Sequence, residues 1–158
     1  MRILKRKQKM GFTLTELMAV VVIIGIIAGL ALGSYRSITE KAVFNEGLGI
    51  AHAVAAAADE FYYEYHKKPD NLGDLVIDVK DITFEGNDIS ATRFTGQFTP
   101  ASSVVVSSRD YPYSITVFMQ YHSQQSDVCT GRDAEGDGKK FCQSLGYTSC
   151  TAQGCSKE

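Results

Sequence analysis

Four cysteines, three histidines and a few isolated acids are the residues of this 158-residue chain whose types and spacing could do chemistry. Cys129, Cys142, Cys150 and Cys155 all fall in the last thirty residues, an even number bunched in a loop-like stretch, which is the pattern of disulfides made outside the cytoplasm. Three pairings are possible; proximity along the chain favours 129 with 142 and 150 with 155. Zinc is the rival use of four thiolates, but no C-x-x-C knuckle occurs. Asp133-Ala-Glu135-Gly-Asp137-Gly138 has the acid spacing that opens a calcium loop, yet the twelfth position is Ser144 where a bidentate glutamate is needed. His52, His66 and His122 have no serine, cysteine or carboxylate at a spacing that assembles a triad or a metal site. Phosphate loops and dinucleotide fingerprints are absent, so the chain reads as a non-enzyme without a cofactor, calcium being the weak candidate.

Glu16 is the acid that physics singles out. It is the one acidic residue before Tyr35, and it heads an uncharged run of 19 residues, Leu17 to Tyr35. The first eleven residues carry Arg2, Lys5, Arg6, Lys7 and Lys9 and no acid. At ~1.5 Å per residue the run covers ~28 Å as a helix, about the hydrocarbon thickness of a bilayer. Positive charge before the run and none just after it holds the leader in the cytoplasm and sends the body out. A carboxylate in such a helix costs on the order of 3 kcal/mol unless it finds a counter-ion.

The elements that must position these groups follow from periodicity. Ile38, Ala42, Leu48, Ala51, Ala55, Ala58, Phe61, Tyr62 and Tyr65 recur at threes and fours, which predicts one amphipathic continuation of the apolar segment. The expected helix runs from about Thr13 to His66, reaches ~80 Å and is stopped by Pro69. Gly47 and Gly49 are weak points in it. From Ile82 the period becomes two, and candidate strands are 81–84, 93–98, 103–108 and 113–122, with joins at Gly86-Asn87, Thr99-Pro100 and Asp110-Tyr111-Pro112. The expected fold is α+β: a long N-terminal helix whose outer half packs on an antiparallel sheet of three to five strands, followed by a disulfide-closed C-terminal region.

The order basic leader, Gly11-Phe12-Thr13-Leu14-Thr15-Glu16, apolar helix resembles the class III signal of type IV pilins and pseudopilins. That resemblance implies a dedicated prepilin peptidase cutting on the cytoplasmic side after Gly11, and N-methylation of Phe12. It also gives Glu16 a register-setting role, in which the carboxylate meets the new N-terminus of a neighbouring subunit. Such a pair at ~4 Å and an effective dielectric near 20 is worth roughly 4 kcal/mol, enough to offset burial. Gly25, Gly29 and Gly33 give two overlapping G-x-x-x-G steps that let helices approach closely. Pilins usually carry a proline near position 33, where this chain has glycine. The 129–142 pairing resembles the disulfide closing the C-terminal region of many pilins, and calcium in a C-terminal loop is what major pseudopilins would imply.

The resulting division is a leader at 1–11, a transmembrane or filament-core helix at 12–35, its amphipathic continuation at 36–66 and a β-sheet head with a cysteine-rich loop at 67–158. The expected function is a structural filament subunit, assembled as a homo-oligomer by inner-membrane machinery and displayed on the cell surface for adhesion, motility or DNA uptake. Two alternatives stand beside it: a type II secretion pseudopilin, and a secreted disulfide-bonded binding domain whose ordinary signal peptide is cut near Ala28 to Ser34. From Arg36 onward the chain has 11 basic against 17 acidic residues, a net charge of −6, which disfavours nucleic acid as a partner by bulk attraction.

Overall fold

The computed structural model describes residues 12–77, 79, 81–100, 102–132, 136–151 and 154–157, with the side chains of residues 31–34 excepted. Two compact units make up the chain, one up to Thr39 and the other from Glu40.

Helix α1 runs Leu14–Tyr65, as the threefold and fourfold spacing predicts. His66 ends it in a left-handed conformation at φ 52°, donating its N–H to the Tyr62 carbonyl at 2.9 Å. Pro69 lies three residues beyond and cannot continue the helix. A short 3-10 turn at Leu72–Asp74 follows, capped by Asn71, whose side chain accepts from the Gly73 N–H.

In the second unit the sheet has eight antiparallel strands: β1 Ile82–Glu85, β2 Asp88–Ala91, β3 Phe94–Thr99, β4 Ser103–Ser108, β5 Tyr113–Phe118, β6 Val128–Gly131, β7 Ser149–Thr151 and β8 Gly154–Ser156. Their order is β1-β2-β3-β4-β5-β6-β8-β7, and helix α2, Asp137–Ser144, lies in the connection from β6 to β7. Eight strands exceed the three to five expected. The additional ones are three or four residues long, too short to show an alternating pattern. Their pairing comes instead from position: Gly86 at φ 60° starts the two-residue turn that folds β2 back on β1 with Glu85 opposite Asp88.

The expected strand 113–122 ends at Phe118 instead. Met119 leaves the ladder to give its N–H to Ser102, and its own carbonyl takes the N–H groups of His122 and Ser123, closing a turn. Alternation of Tyr113, Ile115, Val117 and Met119 into the core nevertheless holds, all four being buried.

The core lies between the sheet and α1. Val43, Phe44, Ile50, Ala51, Val54, Ala55 and Ala58 are buried on the helix; Ile89, Phe94, Phe98, Val104, Val106, Ile115 and Val117 answer from the strands. The buried face is rotated from the one expected near its start: Ala42 and Ile38 are exposed, and Val43 and Phe44 take the inward positions. Phe44 sets that phase, because its ring meets Tyr113 at 5.4 Å and Phe141 and Tyr147 at 5.9 Å. Tyr65, counted on the apolar stripe, is 61% exposed, its ring lying against Phe61 of the same helix at 4.7 Å.

The structure pairs Cys129 with Cys142 and Cys150 with Cys155. The first bond ties β6 to α2. The second joins positions that already face each other across β7 and β8, and Cys129 stands opposite Cys155 across β6 and β8. Two separate disulfides thus brace a sheet end whose strands are too short to persist by hydrogen bonding alone.

Candidate functional site

Thr13 and Glu16 build the start of α1 between them. The Thr13 carbonyl accepts the Leu17 N–H at 3.3 Å, the first helical hydrogen bond. The Thr13 hydroxyl accepts the Glu16 N–H at 3.3 Å and donates to Glu16 Oε2 at 2.8 Å. Glu16 Oε2 also takes the Thr13 N–H at 2.9 Å. This is a reciprocal cap of the T-x-x-E type, which satisfies backbone donors left open at a helix start and places negative charge at the positive end of the helix dipole. The sequence reading gave Glu16 only a partner outside the chain; the spacing of Thr13 to Glu16 was the signal for this second role. Both bonds use Oε2, and Oε1 has no hydrogen-bond partner among the described residues.

Beyond the cap the helix is apolar on every side. Leu17, Met18, Val20, Val21, Val22, Ile23, Ile24, Ile26, Ile27 and Leu30 are each at least 50% exposed, and Phe12 is 81% exposed. A helix hydrophobic all round is stable only when another apolar phase covers it, either lipid or protein. A Cβ built on Gly25 or Gly29 would meet no atom within 4 Å, so nothing in this single chain requires glycine there. Among the described residues no single helix is long and apolar enough to cross a membrane; the stretch Leu14–Leu30 satisfies the length and hydropathy required only together with Tyr35–Tyr65.

The other residues singled out by the sequence lie elsewhere. Gly11 falls outside the described residues, as do Asp133 and Glu135 of the calcium candidate. Asp137 opens α2 and takes a hydrogen bond from Lys140 Nζ at 3.0 Å. No group of three His, Cys, Asp or Glu side chains able to hold a metal occurs among the described residues. The three histidines are dispersed, but His52 Nε2 is 2.8 Å from Asp127 Oδ2, a pairing across 75 positions that no local spacing could announce.

Comparison with known proteins agrees with the N-terminal geometry. The family model for the prokaryotic N-terminal methylation motif matches residues 6–32. The chain is 41% identical over 61 residues to a type IV major pilin protein PilE1 of Neisseria gonorrhoeae, an alignment covering 39% of this chain and 37% of the relative. It is 34% identical over 91 residues to a type IV major pilin protein PilE of the same organism, covering 52% and 54%. It is also 36% identical over 80 residues to the type II secretion system core protein G of Pseudomonas aeruginosa, covering 51% and 56%. The chain thus spans between about a third and just over half of these relatives' lengths. No solved structure gives a significant match. The methylation motif falls on the apolar, self-capped start of α1, and over part of its length the chain is similar to type IV pilins and to a type II secretion core protein.

Proposed function

We propose that this chain is the structural subunit of a type IV pilus or pilus-like filament. It is inserted in the inner membrane with its head outside, cleaved after Gly11 by a prepilin peptidase, methylated at Phe12, and polymerised through α1. The observation that carries this reading is the uncovered apolar surface of Leu17 to Leu30, which needs lipid before assembly and neighbouring helices after it. The run Leu17–Tyr35 covers ~28 Å as a helix, near the hydrocarbon thickness of the first environment. Gly25 and Gly29, open on this chain, admit close helices in the second.

Glu16 serves both states. Its Oε2 caps its own helix, and its Oε1 receives the methylated α-ammonium of Phe12 from an adjoining copy, which sets the axial offset between subunits. Adhesion, motility or DNA uptake then depend on what the outer face of the head touches. A second reading, a pseudopilin of a type II secretion system, is supported by the similarity to core protein G.

The test joins mass spectrometry to electron microscopy. A mature N-terminus at methyl-Phe12 in sheared surface fibres, lost together with the fibres in Glu16→Ala, is the expected result. A mature N-terminus near residue 34, or fibres built from chains that keep residues 1–11, overturns the reading.

A further inference from the structure

The connection from β5 to β6, residues 119–127, runs beside the flank of α1 and borders an open cleft of about 430 Å³. Two carboxylates line it, and each is half used. Asp59 Oδ1 accepts the Tyr121 N–H at 3.2 Å, and Asp127 Oδ2 meets His52 Nε2 at 2.8 Å. The second oxygen of each has no hydrogen-bond partner among the described residues. The Ser123 hydroxyl, also in the lining, is buried without a partner. Gln120, Gln124 and Gln125, all exposed, add three amides to the lining. A second cavity of about 480 Å³, walled mainly by Ser and Thr hydroxyls, shares Phe118 and Gln125 with the first.

From these groups we infer that the cleft between α1 and the 119–127 connection is a binding site for an uncharged carbohydrate. Fixed carboxylate oxygens accept two hydroxyl protons, while amides both donate and accept. A ligand with adjacent hydroxyl groups satisfies such a set, and the Phe118 ring offers an apolar surface to the C–H face of a sugar. Two carboxylates against one imidazole disfavour anions, which excludes phosphates, sulfates and acidic glycans. The volume lies in the range of small-molecule sites and exceeds what one hexose needs, and the adjoining hydroxyl-lined cavity gives room for a second unit. The Ser123 hydroxyl is the buried group of this lining without a partner among the described residues, and a ligand hydroxyl that pairs it recovers the cost of leaving it unmatched.

This inference is independent of the filament reading, because it is tested on the full-length unpolymerised chain in detergent micelles. Saturation-transfer NMR against a panel of glucose, galactose, mannose, N-acetylglucosamine and their β1,4-linked dimers is expected to show at least one ligand with a Kd of about 1 mM or tighter. Asp127→Asn and Asp59→Asn, which keep shape and the existing acceptor, are expected to weaken it about tenfold, and Gln124→Ala severalfold. Thr83→Ala, on β1 at the far side of the sheet, leaves binding as it was. Unchanged melting temperatures separate lost recognition from lost folding. Absence of saturation transfer from every sugar, equal binding by all variants, or binding of a polyamine but of no sugar overturns the proposal.

Discussion

Gly47 of α1 lies directly against the ring of Phe94: a Cβ added at Gly47 would stand 2.6 Å from Phe94 Cε1. Phe94 is wholly buried at the start of β3, so it has no free direction in which to retreat. Gly49, two residues on, meets nothing within 4 Å. Alanine should therefore act oppositely at the two sites. Gly47→Ala is expected to destabilise the head by about 1–3 kcal/mol through overpacking, even though alanine is the better helix former. Gly49→Ala is expected to stabilise it by up to about 1 kcal/mol. Urea unfolding of both variants checks the pair, and equal shifts would refute this packing.

The two disulfides close loops of different length, 13 and 5 positions apart. By chain entropy, Cys129→Ala with Cys142→Ala should cost about 3 kcal/mol and Cys150→Ala with Cys155→Ala about 2 kcal/mol. The first pair is also fully buried and anchors α2 to β6, so packing loss adds to its side of the difference. Denaturant midpoints of the two double variants should fall in that order.

Burial pushes the hydroxyls of Tyr113, Tyr121 and Tyr147 up to about 12 from an ordinary value of 10.0. Their protonated form is favoured by folding, so this contribution is complete below the unfolded value and is lost as pH rises through the folded one. The unfolded chain ionises first and binds fewer protons, which makes the slope of stability with pH negative between about pH 10 and about pH 12. Urea midpoints should fall across that window. Tyrosinate absorbance of the folded protein should show these three rings ionising only toward the upper end of that window.

How much of this was legible in the sequence depends on how local the determining contacts are. The long helix and its stop at Pro69 rest on spacing within the chain, and so does the turn at Gly86-Asn87. Strands β6, β7 and β8 did not declare themselves, because three or four residues hold no period and their register depends on Cys129, Cys150 and Cys155 lining up across the sheet. The phase of the helix face was misplaced by one position near Val43 because the ring cluster around Phe44 draws on residues about 70 and 100 positions away. The His52–Asp127 contact was invisible for the same reason. At the N-terminus the opposite holds: Thr13 and Glu16 are three apart, and the cap was readable there but overshadowed by the charge of Glu16.

The observed cap and the proposed intersubunit pair of Glu16 are two effects that a Glu16→Ala experiment alone would merge. Removing the Thr13 hydroxyl takes away one partner of Oε2 and the acceptor of the Glu16 N–H, while the carboxylate stays charged. Thr13→Ala is expected to loosen the first turn of α1 by about 1 kcal/mol, seen as faster amide exchange at Thr15 to Met18 in micelles. Fibre yield should stay near that of the parent, since in the proposed filament Oε1 keeps its charge for an adjoining Phe12 amine. Glu16→Gln keeps a side chain that can accept from the Thr13 N–H and hydroxyl but removes the charge, so its first turn should stay ordered and its fibres should fail. If Thr13→Ala lost fibres as completely as Glu16→Gln, the cap would be the assembly determinant, and the charge pair between copies would be unnecessary.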